Sequence, residues 1–77
     1  MPLGIQIRYK LTNPERFSKW NAEIQDWGSL HMLILYTPRG EKYCDSWCKS
    51  LRAAKLLCAR ELGATGAKWE IVDDYRK

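Results

Sequence analysis

The first stretch of the chain alternates between apolar and polar side chains. Ile5, Ile7, Tyr9 and Leu11 are separated by Gln6, Arg8 and Lys10. A repeat of two is typical of a β-strand that buries one face. We therefore predict a first strand over residues 5–11, with one apolar side and one basic side.

Residues 14–27 carry the start, spacing and stop signals of a helix. Asn13 suits an N-cap, Pro14 suits the first helical position, and Gly28 suits the left-handed residue that ends a helix. Between these signals, apolar side chains recur three and four residues apart: Phe17, Trp20, Ile24 and Trp27. The alternation of Trp20, Ala22 and Ile24 would instead indicate a strand. The agreement of the three signals favours the helix.

A hairpin is predicted in the middle of the chain. Residues 30–37 are almost wholly apolar and predict a strand that is covered on both faces or lies against a partner. Pro38, Arg39 and Gly40 fit a three-residue hairpin loop, and residues 41–44 would return as a short antiparallel strand. With that loop, Tyr36 pairs with Lys42, and Ile34 pairs with Cys44.

A second helix is predicted to end at Leu62, closed by Gly63, with Asp45 or Ser46 as its N-cap. At 100° per residue, one side of it is apolar through Trp47, Leu51, Ala54, Cys58 and Leu62. Its other side is basic through Lys49, Arg52 and Arg60, with Leu56 among them. The apolar side is expected to pack and the basic side to face solvent.

The last part of the chain predicts one more strand. Trp69 and Ile71 alternate with Lys68 and Glu70, and residues 73–77 are expected to form a solvated end. The whole order is therefore strand, helix, strand, strand, helix, strand. Right-handed crossovers put both helices on one face of a four-stranded sheet. This α+β order, with residues 1–77 as a single domain, resembles the ferredoxin-like split βαβ fold, which implies no function by itself.

Composition narrows the class of protein. The 77 residues are 45% hydrophobic and 29% charged, which is ordinary for a globular chain and excludes a disordered or low-complexity one. The formal net charge of +4 gives a weak attraction to phosphates. No apolar run is long enough to span a bilayer, and no signal peptide is recognisable. Because no signal peptide is recognisable and the number of cysteines, three, is odd, we expect a cytoplasmic protein. We expect no contact with membranes.

The sheet face without helices is the predicted binding surface. The predicted site residues are Arg8, Lys10, Ile34, Tyr36, Lys42 and Lys68 on the sheet, and Lys49, Arg52 and Arg60 on the second helix. Basic groups bind phosphates, and an aromatic ring can stack on an unpaired base. We therefore expect a non-enzymatic protein that binds nucleic acid or a nucleic-acid-handling complex. The alternative is a protein-interaction module, either a homodimer or an inhibitor that docks on a larger protein machine.

The remaining candidate metal-binding or catalytic residues do not form a recognisable site pattern. Cys44, Cys48 and Cys58 with His31 supply zinc ligand types, but their spacing lacks paired knuckles, so a metal-binding domain is a minor alternative to buried cysteines. His31 is the single histidine, and no sequence pattern places it beside a nucleophile. Carboxylates near the chain end, Glu70, Asp73 and Asp74, are interpreted as solvated. No enzyme activity, bound metal or cofactor is expected.

Overall fold

A sheet of five antiparallel strands with one helix on one of its faces forms the structure. The computed structural model describes residues 4–63 and 65–76 of the chain. The elements are β1 Ile7–Leu11, a 3₁₀ turn Pro14–Phe17, β2 Asn21–Asp26, β3 His31–Tyr36, β4 Lys42–Cys48, α1 Leu51–Leu62 and β5 Trp69–Asp74. The strand order is β4-β3-β2-β1-β5, so the last strand pairs with the first.

The predicted ferredoxin-like arrangement of two helices over four strands is wrong. The described residues contain one α-helix, and every strand pair in the sheet is antiparallel. The error arises in two places, at the predicted first helix and at the start of the predicted second helix. In both, residues predicted to be helical form a strand.

The helix predicted over residues 14–27 stops after one 3₁₀ turn. Asn13 and Pro14 do begin a helical turn, but Ser18 and Lys19 take left-handed conformations with φ of 54° and 69°. These conformations interrupt the helix and turn the chain into β2. The Asn13 side chain also makes no cap bond, because its Nδ2 donates to the Gly66 carbonyl and its Oδ1 accepts from the Lys68 amide. Its hydrogen bonds hold the chain near β5 instead.

The alternating pattern in residues 20–26 is the correct one. Ala22 and Ile24 are buried in the core beneath α1, whereas Trp27 is exposed and packs against Trp47. The apolar side chains three and four residues apart therefore do not share one face.

The N-cap of α1 lies five residues after Asp45. Asp45 and Trp47 belong to β4, where they pair with Ile34 and Met32 of β3. The N-cap is Ser50, whose Oγ accepts a hydrogen bond from the Ala53 amide at 3.0 Å. Gly63 ends the helix with φ of 69°, as predicted from its position. In β4 the exposed residues Asp45 and Trp47 alternate with the less exposed Cys44, Ser46 and Cys48, which is a strand repeat that a helical projection hides.

The core lies between α1 and one face of the sheet. Ile24, Leu33, Leu35 and Cys58 are its largest fully buried side chains, and α1 packs mainly over β3, with β2 and β4 on either side. Phe17 of the 3₁₀ turn, with Trp20 and Trp69, extends this packed layer beyond the helix. The opposite sheet face is left without a covering element in the described part of the chain.

Candidate functional site

The uncovered sheet face collects five of the predicted site residues. The strand register places Arg8, Gln25, Met32 and Trp47 in one row, and Lys10, Glu23, Ile34 and Asp45 in the next. Tyr36 pairs with Lys42 beyond these rows, as the predicted hairpin required. We call the residues of these two rows, together with Tyr36, Lys42 and Trp27, the open sheet face. Lys68 lies apart, one residue before β5, where its backbone is bonded to Asn13 and Thr12.

Beyond the pair of Tyr36 and Lys42, the predicted register of the hairpin is wrong. Ile34 pairs with Asp45 rather than with Cys44, because Tyr43 is an extra residue in β4 that shifts the register. The bulge turns Cys44 to the helix side, opposite Leu35. The rings of Tyr43 and Trp20 meet edge to face at a centroid distance of 5.1 Å. Ile34 does lie on the open sheet face, yet it is only 7% exposed.

Arg8 forms an ion-pair network across three strands. Its Nε and Nη2 donate to the two carboxylate oxygens of Glu23 at 3.1 and 3.0 Å, and its Nη1 donates to Asp73 at 2.9 Å. The Gln25 side chain donates a hydrogen bond to Glu23 through Nε2 and accepts one from the Trp27 indole through Oε1. The guanidinium thus binds two carboxylates: Glu23 through Nε and Nη2, and Asp73 through Nη1.

The network fixes the charge state of Glu23. Burial by itself raises the pKa of Glu23, but the hydrogen bonds from Arg8 and Gln25 outweigh it and hold the pKa below its usual value. The hydrogen bond with Glu23 likewise raises the pKa of Arg8. Glu23 is therefore ionised at neutral pH although it is buried. Arg8 neutralises it within the protein.

The open sheet face is not basic. Lys42 is paired with Asp45, as Arg8 is with Glu23 and Asp73, and Lys10 stands directly between the acidic residues Glu23 and Glu70 of its neighbouring strands. The face also carries an exposed aromatic pair, Trp27 and Trp47, whose rings meet edge to face at 5.8 Å. Trp27 and Trp47 were predicted to lie on helices, so their position on this face was not predicted.

The outer side of α1 carries several positive charges without an ion pair. Arg52, Lys55 and Arg60 are exposed on this helix, and Lys49 precedes it. Within the described residues, none of these four side chains has a carboxylate within 4 Å. Leu56, 61% exposed, lies among them. We call Lys49, Arg52, Lys55, Leu56 and Arg60 the basic helix face; all of these residues except Lys55 are predicted from the sequence to lie together.

The three cysteines differ in how far they are buried. Cys58 is completely buried, and burial raises its pKa to about 11; Cys48 is also buried, which raises its pKa, while Cys44 is half-buried. In residues 4–63 and 65–76, no three His, Cys, Asp or Glu side chains are grouped to hold a metal ion. Of the carboxylates near the chain end, Asp73 pairs with Arg8 and Asp74 with Arg76.

Three titratable groups do line up across the sheet. Asp26, His31 and Cys48 are direct cross-strand neighbours on β2, β3 and β4. No sequence pattern predicts that His31 pairs with Cys48, because the pairing depends on the length of β4. This length became visible only in the structure.

Comparison with protein families, with characterised proteins and with solved structures finds no match to this chain. Among the described residues, no helix has the length and apolar content needed to cross a membrane.

Proposed function

We propose that this protein is a non-enzymatic binding domain for nucleic acid or a nucleic-acid-containing complex, and that the basic helix face makes the contact. The observation that carries this proposal is the separation of charge between the two surfaces. On the open sheet face, Arg8 and Lys42 are bound to carboxylates, and Lys10, although it has no ion pair among the described residues, lies between Glu23 and Glu70. The cations of the basic helix face have no carboxylate within 4 Å among the described residues.

The charge of the molecule supports this choice. Residues 46–60 hold four cations and no acid, which equals the net charge of +4 for the whole chain. Binding a phosphate with an unpaired cation releases condensed counterions without breaking an ion pair. Binding one with Arg8 would instead leave the buried Glu23 without its partner. The basic helix face is therefore the surface where phosphate binding has the lower cost.

The shape of the surface is compatible with this partner. A helix of 12 residues is about 18 Å long, and residues three and four apart on it are neighbours about 5–6 Å apart. Arg52, Leu56 and Arg60 follow this spacing along the exposed side. The face thus offers a row of cations around one apolar contact. A helix of this width can enter the major groove of a duplex.

The test measures binding to a labelled oligonucleotide, single-stranded and duplex, at several salt concentrations by fluorescence anisotropy. We expect affinity to fall with salt, and the double variant Arg52→Gln/Arg60→Gln to bind more weakly with a salt slope smaller by about 2. The matched control Lys19→Gln/Arg39→Gln removes the same net charge from exposed loop positions and should bind nearly as wild type.

Two results would reject the proposal. Equal loss of affinity in the two double variants would mean that net charge alone matters and that the basic helix face has no special role. Sedimentation that shows mass rising with protein concentration, with no effect of oligonucleotide, would instead favour self-association through the open sheet face. In that case Trp47→Glu, at a half-exposed position, should return the protein to a monomer.

A further inference from the structure

Aromatic side chains line a pocket at the C-terminal end of α1. The pocket, about 350 Å³, lies between the 3₁₀ turn, β4 and the last turn of α1. Its aromatic residues are Phe17, Trp20 and Tyr43, and Leu35 and Leu62 add to its apolar surface. Sites that hold small molecules have volumes of about 300–1,000 Å³. This pocket is at the small end of that range, so it has room for a compact ligand.

The rings of Trp20 and Tyr43 are perpendicular. They meet edge to face, with their centroids 5.1 Å apart and an angle of 88° between their planes. In such a contact, the ring that supplies the edge keeps both of its faces free of the other ring. The face of an aromatic ring is the negative side of its quadrupole, and it attracts cations. Tyr43 is largely exposed, whereas Phe17 is buried, so a ligand can reach the rings from solvent.

The charged side chain that lines the pocket is a carboxylate. Glu61 is exposed, and it takes part in none of the ion pairs of residues 4–63 and 65–76. Glu61 and Leu62 are also the last two residues of α1, and the C-terminal end of a helix carries partial negative charge. The carboxylate, the helix end and the aromatic rings therefore all favour a positively charged ligand.

The apolar surface of the pocket selects one class of cation. A primary ammonium such as that of lysine is strongly hydrated and loses this hydration when it enters an apolar pocket. A quaternary ammonium has methyl groups in place of N–H bonds, so it has no donated hydrogen bonds to lose. Aromatic rings recognise such groups through cation–π attraction.

We propose that this pocket binds a small molecule that carries a trimethylammonium group. The rings of Trp20 and Tyr43 contact the methyl groups, and Glu61 supplies the opposite charge. The site is independent of the nucleic-acid contact proposed above, since no residue of the basic helix face lines this pocket.

The first experiment compares two ligands of the same shape on the wild-type protein. Choline carries the trimethylammonium group, and dimethylbutanol is its neutral isostere, in which a carbon replaces the nitrogen. Both are titrated by NMR, with backbone amide shifts reporting affinity and location. We expect choline to bind about tenfold more tightly, with shifts in residues 17–20 and at Tyr43. Equal affinity for the two ligands, or choline shifts outside the pocket, would overturn the proposal.

Variants at Tyr43 test the aromatic ring. Tyr43 is 62% exposed, so Tyr43→Leu leaves the core intact, and we expect it to weaken choline binding about fivefold. Tyr43→Phe keeps the ring and should bind choline as wild type does. The matched control is Tyr75→Leu, which removes a similarly exposed tyrosine that does not line the pocket. If Tyr43→Leu and Tyr75→Leu bound choline equally well, Tyr43 would have no part in the site.

A second pair of variants tests the carboxylate. Glu61→Gln keeps the size of the side chain but removes its charge, and should weaken choline binding about threefold without changing the affinity for dimethylbutanol. Glu70→Gln removes an exposed carboxylate of β5 outside the pocket and should leave both affinities as in wild type. Equal choline affinities of Glu61→Gln and Glu70→Gln would contradict the role of Glu61 as the counter-charge.

Discussion

At the scale of single residues, the position of Arg8 was predicted correctly but its binding partner was not. The alternation of β1 places Arg8 on the uncovered side of the sheet, where the structure has it. Its partners Glu23 and Asp73 are 15 and 65 positions away along the chain. No local pattern reveals such contacts, because they depend on the strand order and register. A residue expected to bind a partner therefore proves to be bound within the fold.

Arg8→Met is expected to lower the free energy of unfolding by about 2–3 kcal/mol, because Glu23 then stays buried without its charged hydrogen-bond donors. Chemical denaturation at neutral pH measures the change. The matched control is Lys10→Met, which removes a neighbouring cation of the same face that has no ion pair among the described residues. Equal effects of the two substitutions would contradict the role of the network.

The stability difference between wild type and Arg8→Met should also depend on pH, and the sign of this dependence follows from the pKa of Glu23. The pKa of Glu23 is lowered in the folded protein, so the stability it contributes is present above its unfolded pKa of about 4.3 and is lost as pH falls through the folded value. In Arg8→Met, burial is left to raise that pKa. The stability difference between wild type and Arg8→Met should therefore shrink below about pH 4. Melting temperatures of both proteins across this range measure the difference.

At the scale of elements, the sequence predicted structure best where the pattern was complete within one segment. The hairpin loop at residues 38–40 is confirmed, with the Thr37 amide bonded to the Glu41 carbonyl, and the end of α1 at Gly63 is confirmed as well. The failures lie at residues 20–26 and 45–48, where strand and helix repeats overlap. Sheet pairing decided both segments. Such pairing has no signal in a single window of sequence.

The N-cap of α1 offers a test at this scale, because sequence reasoning placed the cap at Asp45 or Ser46 and the structure places it at Ser50. Ser50→Ala removes the acceptor for the Ala53 amide and should lower stability by about 1 kcal/mol. Ser29→Ala changes an exposed serine in the β2–β3 turn and serves as the control, with little expected effect. Denaturation midpoints compare the two. An unchanged denaturation midpoint in Ser50→Ala would contradict the assignment of Ser50 as the N-cap.

At the scale of the whole molecule, the structure separates a neutral sheet face from a basic helix face. This separation could not be read from composition, since the sequence analysis assigned Arg8, Lys10 and Lys42 to a basic sheet surface. It follows from where the nine acidic residues fall: none lies within residues 46–60, and those beside the sheet cations neutralise them. The net charge of the chain therefore does not show that one surface is neutral and the other basic; this difference arises only when the chain folds.

The same layout predicts an uneven stability across the sheet. α1 packs mainly over β3 and its neighbours β2 and β4, whereas β5 pairs only with β1 and contributes no buried residue. Amide protection depends on how much packing must be lost for a segment to open. Hydrogen exchange should therefore be slowest in β2 and β3 and markedly faster in β5, although all three are ladder strands. Equal protection of β5 and β3 would mean that β5 opens only when the whole molecule unfolds, and that its pairing with β1 is as firmly held as the strands beneath the helix.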